Sequence, residues 1–271
     1  MQCLSPLFGY LNPYRKQDGA LSWKFGTRPQ EGYLRSVSIP CGKCMACRKN
    51  HSRDWALRCM LEAMDYDFST FFTLTYADPS PPSLQKRHAK RFCRRFSDQM
   101  GYSPRYLIAG EYGPRTHRPH YHGILFGARP DQLDFERLWP YGYSTASVVN
   151  SSRIAYTCQY ALKKQGVESN FFLMSRRPGI GRRFIEKYAK DILANERDAI
   201  HVDGVPYRLP RYFLDFLSRE YCSDYDAFRS RRIKKGVDIT EKIDKISPYH
   251  LQALYSRLRT NLEQINSLKF L

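Results

Sequence analysis

The chain has 271 residues, with 44 Lys and Arg against 26 Asp and Glu, for a formal charge of +18. That length suits one sizeable domain with appendages, or at most two domains. A charge of that size and sign, interleaved with 20 Tyr, 16 Phe and 3 Trp, points to phosphate polyanions and unpaired bases and away from a merely soluble basic surface. Met-Gln-Cys-Leu-Ser-Pro has no secretory pattern and no apolar run nears membrane-spanning length, so the expected place is the cytoplasm, without a membrane partner and with the 8 cysteines reduced or bound to metal.

In chain order, residues 1–40 are rich in Pro, Gly and aromatics without lasting periodicity, which predicts an irregular arm packed on the body or against a partner. A helix is predicted over 43–64, with Trp55, Cys59 and Ala63 as its apolar stripe. At its start Cys41, Cys44 and Cys47 have metal-ligand spacing, with Cys3, His51 and Cys59 as further donors. The second pair of a standard zinc module is absent, so a structural zinc ion and a set of reduced thiols both suit them.

Residues 71–76 predict a buried strand. Ser83 is the expected cap of a helix whose Ala89, Phe92, Phe96 and Met100 face the core. Its other sides carry Arg87, Lys90, Arg91 and Arg94, which with Arg118 are the expected DNA-phosphate contacts; the 229–235 run is a further candidate. Strands are predicted over 105–112 and 120–126, a short helix over 131–139 and a strand over 143–149. A helix capped by Asn150, Ser151 or Ser152 then runs to about residue 164.

This order predicts an α+β fold, an antiparallel sheet with helices on one face. Beyond residue 166, basic helices are expected over 180–194, 210–221 and 249–268. The organisation expected is an arm with the cysteines and a helix (1–69), a core (70–166) and a mostly helical extension packed on it (167–271).

The most informative stretch is Arg118-Pro119-His120-Tyr121-His122-Gly123. On a strand, His120 and His122 point one way and Tyr121 the other, so two imidazoles converge as a divalent cation requires. If the two strands are antiparallel neighbours, Glu111 joins them. Two histidines and a carboxylate suit Mg²⁺ or Mn²⁺ in phosphate chemistry, and can also hold iron. His117, in the turn, is expected to face solvent.

Tyr156 and Tyr160 lie four apart on one helical face, followed by Lys163 and Lys164. A phenol with a pKa near ~10 is a weak nucleophile, which a polarised phosphate and a nearby ammonium offset. Two tyrosines at this spacing also suit core packing or base stacking.

Taken in order, Phe72-Thr73-Leu74-Thr75-Tyr76, the His120 motif and the stretch from Tyr156 to Lys164 resemble the replication initiators of the HUH endonuclease family. The resemblance is to those of microviruses of the gokushovirus type in particular. Cys3-Leu4-Ser5-Pro6 and Pro40-Cys41-Gly42-Lys43-Cys44 resemble the same phage group, so the likeness spans 1–165.

The resemblance implies a five-stranded antiparallel RRM-like sheet with a metal on its open face. It implies site-specific nicking and rejoining of single-stranded DNA at a replication origin through a 5′-phosphotyrosine, with Tyr160 as first nucleophile and Tyr156 as second. In relatives the third ligand varies. The sequence has no Gly-x-x-x-x-Gly-Lys-Ser/Thr, so unwinding is expected from a host helicase and the host replication machinery. The alternatives are an HUH relaxase or transposase, and a non-enzymatic basic protein that coats or packages single-stranded DNA.

Overall fold

A computed structural model of the chain describes residue 3 and residues 5–15, 21–26, 35–78, 83–113, 117–159 and 170–244. The predicted helix over 249–268 lies outside them. The chain divides into two units, one of residues 1–188 and 199–214, the other of 189–198 and 215–271.

The first unit opens with β1 (Leu7–Arg15), β2 (Leu21–Gly26) and β3 (Arg35–Ile39), an antiparallel sheet in the order β2-β1-β3. This sheet replaces the irregular arm that composition predicts. The alternation is hidden because Asn12 and Pro13 fall where the β1–β2 register shifts, and a proline that cannot donate to a ladder belongs at such a bulge. Helix α1 (Met45–Ala63) and strand β4 (Ser69–Tyr76) follow, then α2 (Lys86–Met100), whose N-cap is Gln85; Ser83 instead accepts from the Gln85 side chain at 3.0 Å.

Strands β5 (Arg105–Tyr112) and β6 (Pro119–Phe126) pair antiparallel. The predicted helix over 131–139 is a 3-10 turn (Pro130–Gln132) and the single turn α3 (Phe135–Leu138), capped by Asp134. Strand β7 (Gly142–Val148) leads to α4 (Ser151–Gln159), which Asn150 caps by accepting from Arg153 N–H at 2.8 Å. Strand β8 (Phe171–Met174) then pairs with β5, completing a sheet in the order β7-β4-β6-β5-β8.

The fold is thus α+β, with helices on both faces of this sheet and not on one. Thr70, Phe72, Leu74 and Tyr76 of β4 pack with Tyr121 and Leu125 of β6 against Ala89, Phe92 and Phe96 of α2. On the opposite face, Trp55 of α1 meets Phe172 edge-on at 5.3 Å, and Cys59 of α1 lies 4.0 Å from Cys158 of α4. Periodicity shows which side of a helix is apolar, but not which sheet face it covers. Glu62 of α1, 1% exposed, accepts from Arg105 of β5 at 2.6 and 2.8 Å and from Gly181 N–H at 2.6 Å, so its buried charge is fully engaged.

Two buried tyrosines are satisfied within the α2 face. The Tyr76 hydroxyl lies 2.6 Å from that of Tyr121 and 2.9 Å from His88 Nδ1, and Tyr121 accepts from Gln85 N–H. At Gly123, the Phe72 ring lies where a side chain would start: a Cβ there would sit 2.2 Å from the ring. Phe72 is itself packed on Phe92 at 4.8 Å. Gly123→Ala is therefore expected to cost about 1–3 kcal/mol by overpacking. Thermal denaturation checks this, and an unshifted midpoint would contradict it.

The unit also holds the start of α5 (Arg182–Ala194) and the hairpin β9 (Ala199–Val202) and β10 (Val205–Arg208). Asp203 (φ 50°) and Gly204 (φ 73°) form its two-residue turn, an Asp-Gly signal that stands in a region predicted to be mostly helical. Helix α6 (Arg211–Glu220) runs on into the second unit, which includes α7 (Cys222–Asp244). There Arg231 pairs with Glu196 and Arg232 with Asp198, each at 2.9 Å, so part of the expected phosphate-binding run is engaged within the unit. Among the described residues no helix is long and apolar enough to cross a membrane.

Candidate active site

The strand register determines which side chains meet. Glu111 of β5 opposes His120 of β6, and Thr75 and Thr73 of β4 oppose His120 and His122. These residues all project from the sheet face opposite α2, while Tyr121 projects into the α2 core, as strand alternation requires. One ligand atom from each of Glu111, His120 and His122 lies within 4.8 Å of the others.

Glu111 and His122 are only 3% and 6% exposed, and His120 is half-buried. His122 Nε2 stands 3.1 Å from Glu111 Oε1. Adjacent ligands of an octahedral ion bound at about 2.1 Å stand roughly 3 Å apart, so the set fits a small divalent cation. A buried carboxylate needs a compensating charge or donor, which His122 or such an ion provides.

Two groups steady His122, and neither is among the residues that the sequence singles out. Thr73 Oγ1 lies 3.0 Å from His122 Nδ1, holding the ring so that Nε2 faces Glu111. Phe71 lies nearly parallel to the imidazole, with centroids 6.3 Å apart at 10°. The signal is present, since the alternation Phe71, Thr73, Thr75 on β4 matches the alternation of the histidines on β6.

Helix α4 brings Tyr156 to this cluster. Its ring meets His122 edge-on at 5.1 Å and Phe71 at 6.4 Å, and the residue is 42% exposed, so the phenol stands beside the imidazole and is open to solvent. Buried Ile154, Thr157 and Cys158 form the inward side of α4, which orients the tyrosine. Tyr160, Lys163 and Lys164 lie outside the described residues.

The basic residues divide. Arg87, Lys90, Arg91 and Arg94 belong to α2, on the sheet face opposite the cluster, so the fold does not gather them around it. Arg118 lies two residues before His120 and pairs with Asp78. His117 is exposed in its left-handed turn and is not part of the cluster. Cys41, Cys44 and Cys47 come together with Cys3, whereas Cys59 lies against Cys158 and His51 against Trp55.

The class so defined is a basic α+β protein whose antiparallel sheet presents a carboxylate and two imidazoles beside a tyrosine-bearing helix. Residues 69–165 match the Replication-associated protein ORF2 family. Replication-associated protein VP4 of Bdellovibrio phage phiMH2K is 28% identical over 252 residues, 80% of this chain and 80% of that protein. Replication-associated protein ORF2 of Spiroplasma virus 4 is 26% identical over 269 residues, 85% of this chain and 82% of that one. Replication-associated protein ORF4 of Chlamydia phage 1 is 27% identical over 238 residues, 72% and 59%. No solved structure matches the chain. These relatives identify the chain as a replication-associated protein of the microvirus type.

Proposed function

We propose that the chain initiates rolling-circle replication as an HUH endonuclease, nicking single-stranded DNA at an origin and holding the new 5′ end on a tyrosine. The observation that carries this is the edge-on contact between Tyr156 and His122, inside a cluster whose third member is Glu111.

In the reaction a tyrosine oxygen attacks phosphorus, the P–O3′ bond breaks, and the phenolic proton is lost as the 3′-oxygen leaves as a hydroxyl. Glu111, His120 and His122 would hold Mg²⁺ or Mn²⁺, which supplies charge neutralisation and polarisation of the scissile phosphate. Thr73 fixes the His122 ring, and α4 holds the phenol against it. The resemblance favours Tyr160 as nucleophile, and the geometry favours Tyr156. A pair lets one hold the old end while the other cuts, so that a circle can be closed and released. Lys163 and Lys164 would favour the phenolate.

DNA would lie across the sheet face that bears the cluster. Tyr143 on β7 is 68% exposed and opposes Thr75, which opposes His120, so a bare aromatic ring stands in line with the site. Tyr143→Ala is expected to weaken single-stranded DNA binding by about 1–3 kcal/mol, the worth of one stacked base. Fluorescence anisotropy with a labelled oligonucleotide checks this; unchanged affinity would remove Tyr143 from the DNA path.

Strand separation is assigned to a host helicase. The function itself is tested on single-stranded phage circles with and without a chelator. Cation-dependent linear product with an extendable 3′ end and a protein-blocked 5′ end is expected. Binding without cleavage would favour a coating protein.

A further inference from the structure

A second cluster lies at the other end of α1. Cys3 precedes β1, Cys41 and Cys44 form the turn into α1, and Cys47 sits in its first turn. Their sulfurs all lie within 4.8 Å of one another, with Cys3 to Cys44 at 3.8 Å and Cys41 to Cys47 at 4.0 Å. A disulfide would need about 2.05 Å. Four sulfurs around one tetrahedral ion at a metal–sulfur distance of about 2.3 Å stand roughly 3.8 Å apart, close to both measured edges.

The backbone is shaped to the same end. Gly42, at φ 70°, turns the chain between Cys41 and Cys44. Cys41 N–H donates to Cys3 Sγ and Cys44 N–H to Cys41 Sγ, both at 3.3 Å, as suits sulfurs that carry negative charge. Reduced thiols have no need of four-fold convergence from two segments some 40 residues apart in sequence.

We infer that Cys3, Cys41, Cys44 and Cys47 bind one structural zinc ion. All four positions are filled by protein, which marks a structural site, since a catalytic one keeps a position open. Separations this close suit a single ion better than a cluster of several irons, which spreads its ligands around more atoms. Cys3 supplies the ligand that the Cys41-x-x-Cys44-x-x-Cys47 motif lacks. The ion ties the segment before β1 to the start of α1, the helix whose Trp55, Cys59 and Glu62 seat it in the fold. The inference does not depend on the nuclease reading.

The test is elemental analysis of the full chain purified without chelators. One zinc per chain is expected, retained in His120→Ala/His122→Ala and lost in Cys41→Ser/Cys44→Ser. Should the serine variant fail to fold, the wild-type protein reconstituted with Co²⁺ gives the answer. The intense thiolate-to-metal and visible bands of a tetrahedral tetrathiolate are expected, and Cys3→Ser should shift them toward a three-sulfur site. A wild-type protein without zinc, an iron chromophore, zinc that leaves with the histidines, or cobalt bands unmoved by Cys3→Ser would each overturn the assignment.

Discussion

Replacing His120 and His122 together with alanine is expected to abolish cation-dependent nicking, a loss on the order of 10³-fold or more where the ion supplies most of the charge stabilisation. The single variants should differ in stability. His120 is half-buried, and its removal leaves the core untouched. Loss of His122 strands Glu111, 3% exposed, without the imidazole 3.1 Å away, and should cost a further ~1–3 kcal/mol in chemical denaturation. Thr73→Val keeps all three ligands but frees the imidazole it orients. Its expected signature is a roughly 10–100-fold higher Mn²⁺ requirement, with the rate recovered at saturating metal. Full activity of the double histidine variant, or a Thr73→Val enzyme with an unchanged metal requirement, would remove the cluster from the mechanism.

The second large effect concerns the phenols. Tyr156→Phe and Tyr160→Phe combined should eliminate the covalent adduct, with single-stranded DNA affinity retained, because only one hydroxyl per ring is lost. Removing a nucleophile commonly costs about 10³-fold or more. Tyr156→Phe alone should show most of that loss, since Tyr156 is the phenol in contact with His122. If Tyr160→Phe alone abolishes the adduct while Tyr156→Phe is active, the roles are reversed and Tyr156 serves as a stacking or rejoining residue. A double variant that still forms the adduct would rule out tyrosine chemistry.

The site is largely legible in the sequence because it rests on short-range rules. Strand alternation alone aligns His120 with His122 and sends Tyr121 into the core, and one antiparallel pairing adds Glu111. What is not legible depends on the third dimension. Thr73 becomes a partner of His122 only through the β4–β6 register, and the placement of α2 behind the sheet, which parts its arginines from the site, is a matter of packing. Short or interrupted elements also escape: β8 has only four residues, and the bulge at Asn12 and Pro13 obscures β1. The Cys41 motif lacks a ligand in sequence because Cys3, 38 residues upstream, supplies it in space.

The most direct test joins the cation cluster to the phenol in one readout. An origin-derived single-stranded oligonucleotide is incubated with the protein and Mn²⁺, and the covalent product is digested and mapped by mass spectrometry. A nucleotide-bearing peptide modified at Tyr156 or Tyr160, absent with a chelator and absent in the double histidine variant, is the expected result. Modification at any other residue, or an adduct formed equally well without His120 and His122, would contradict it.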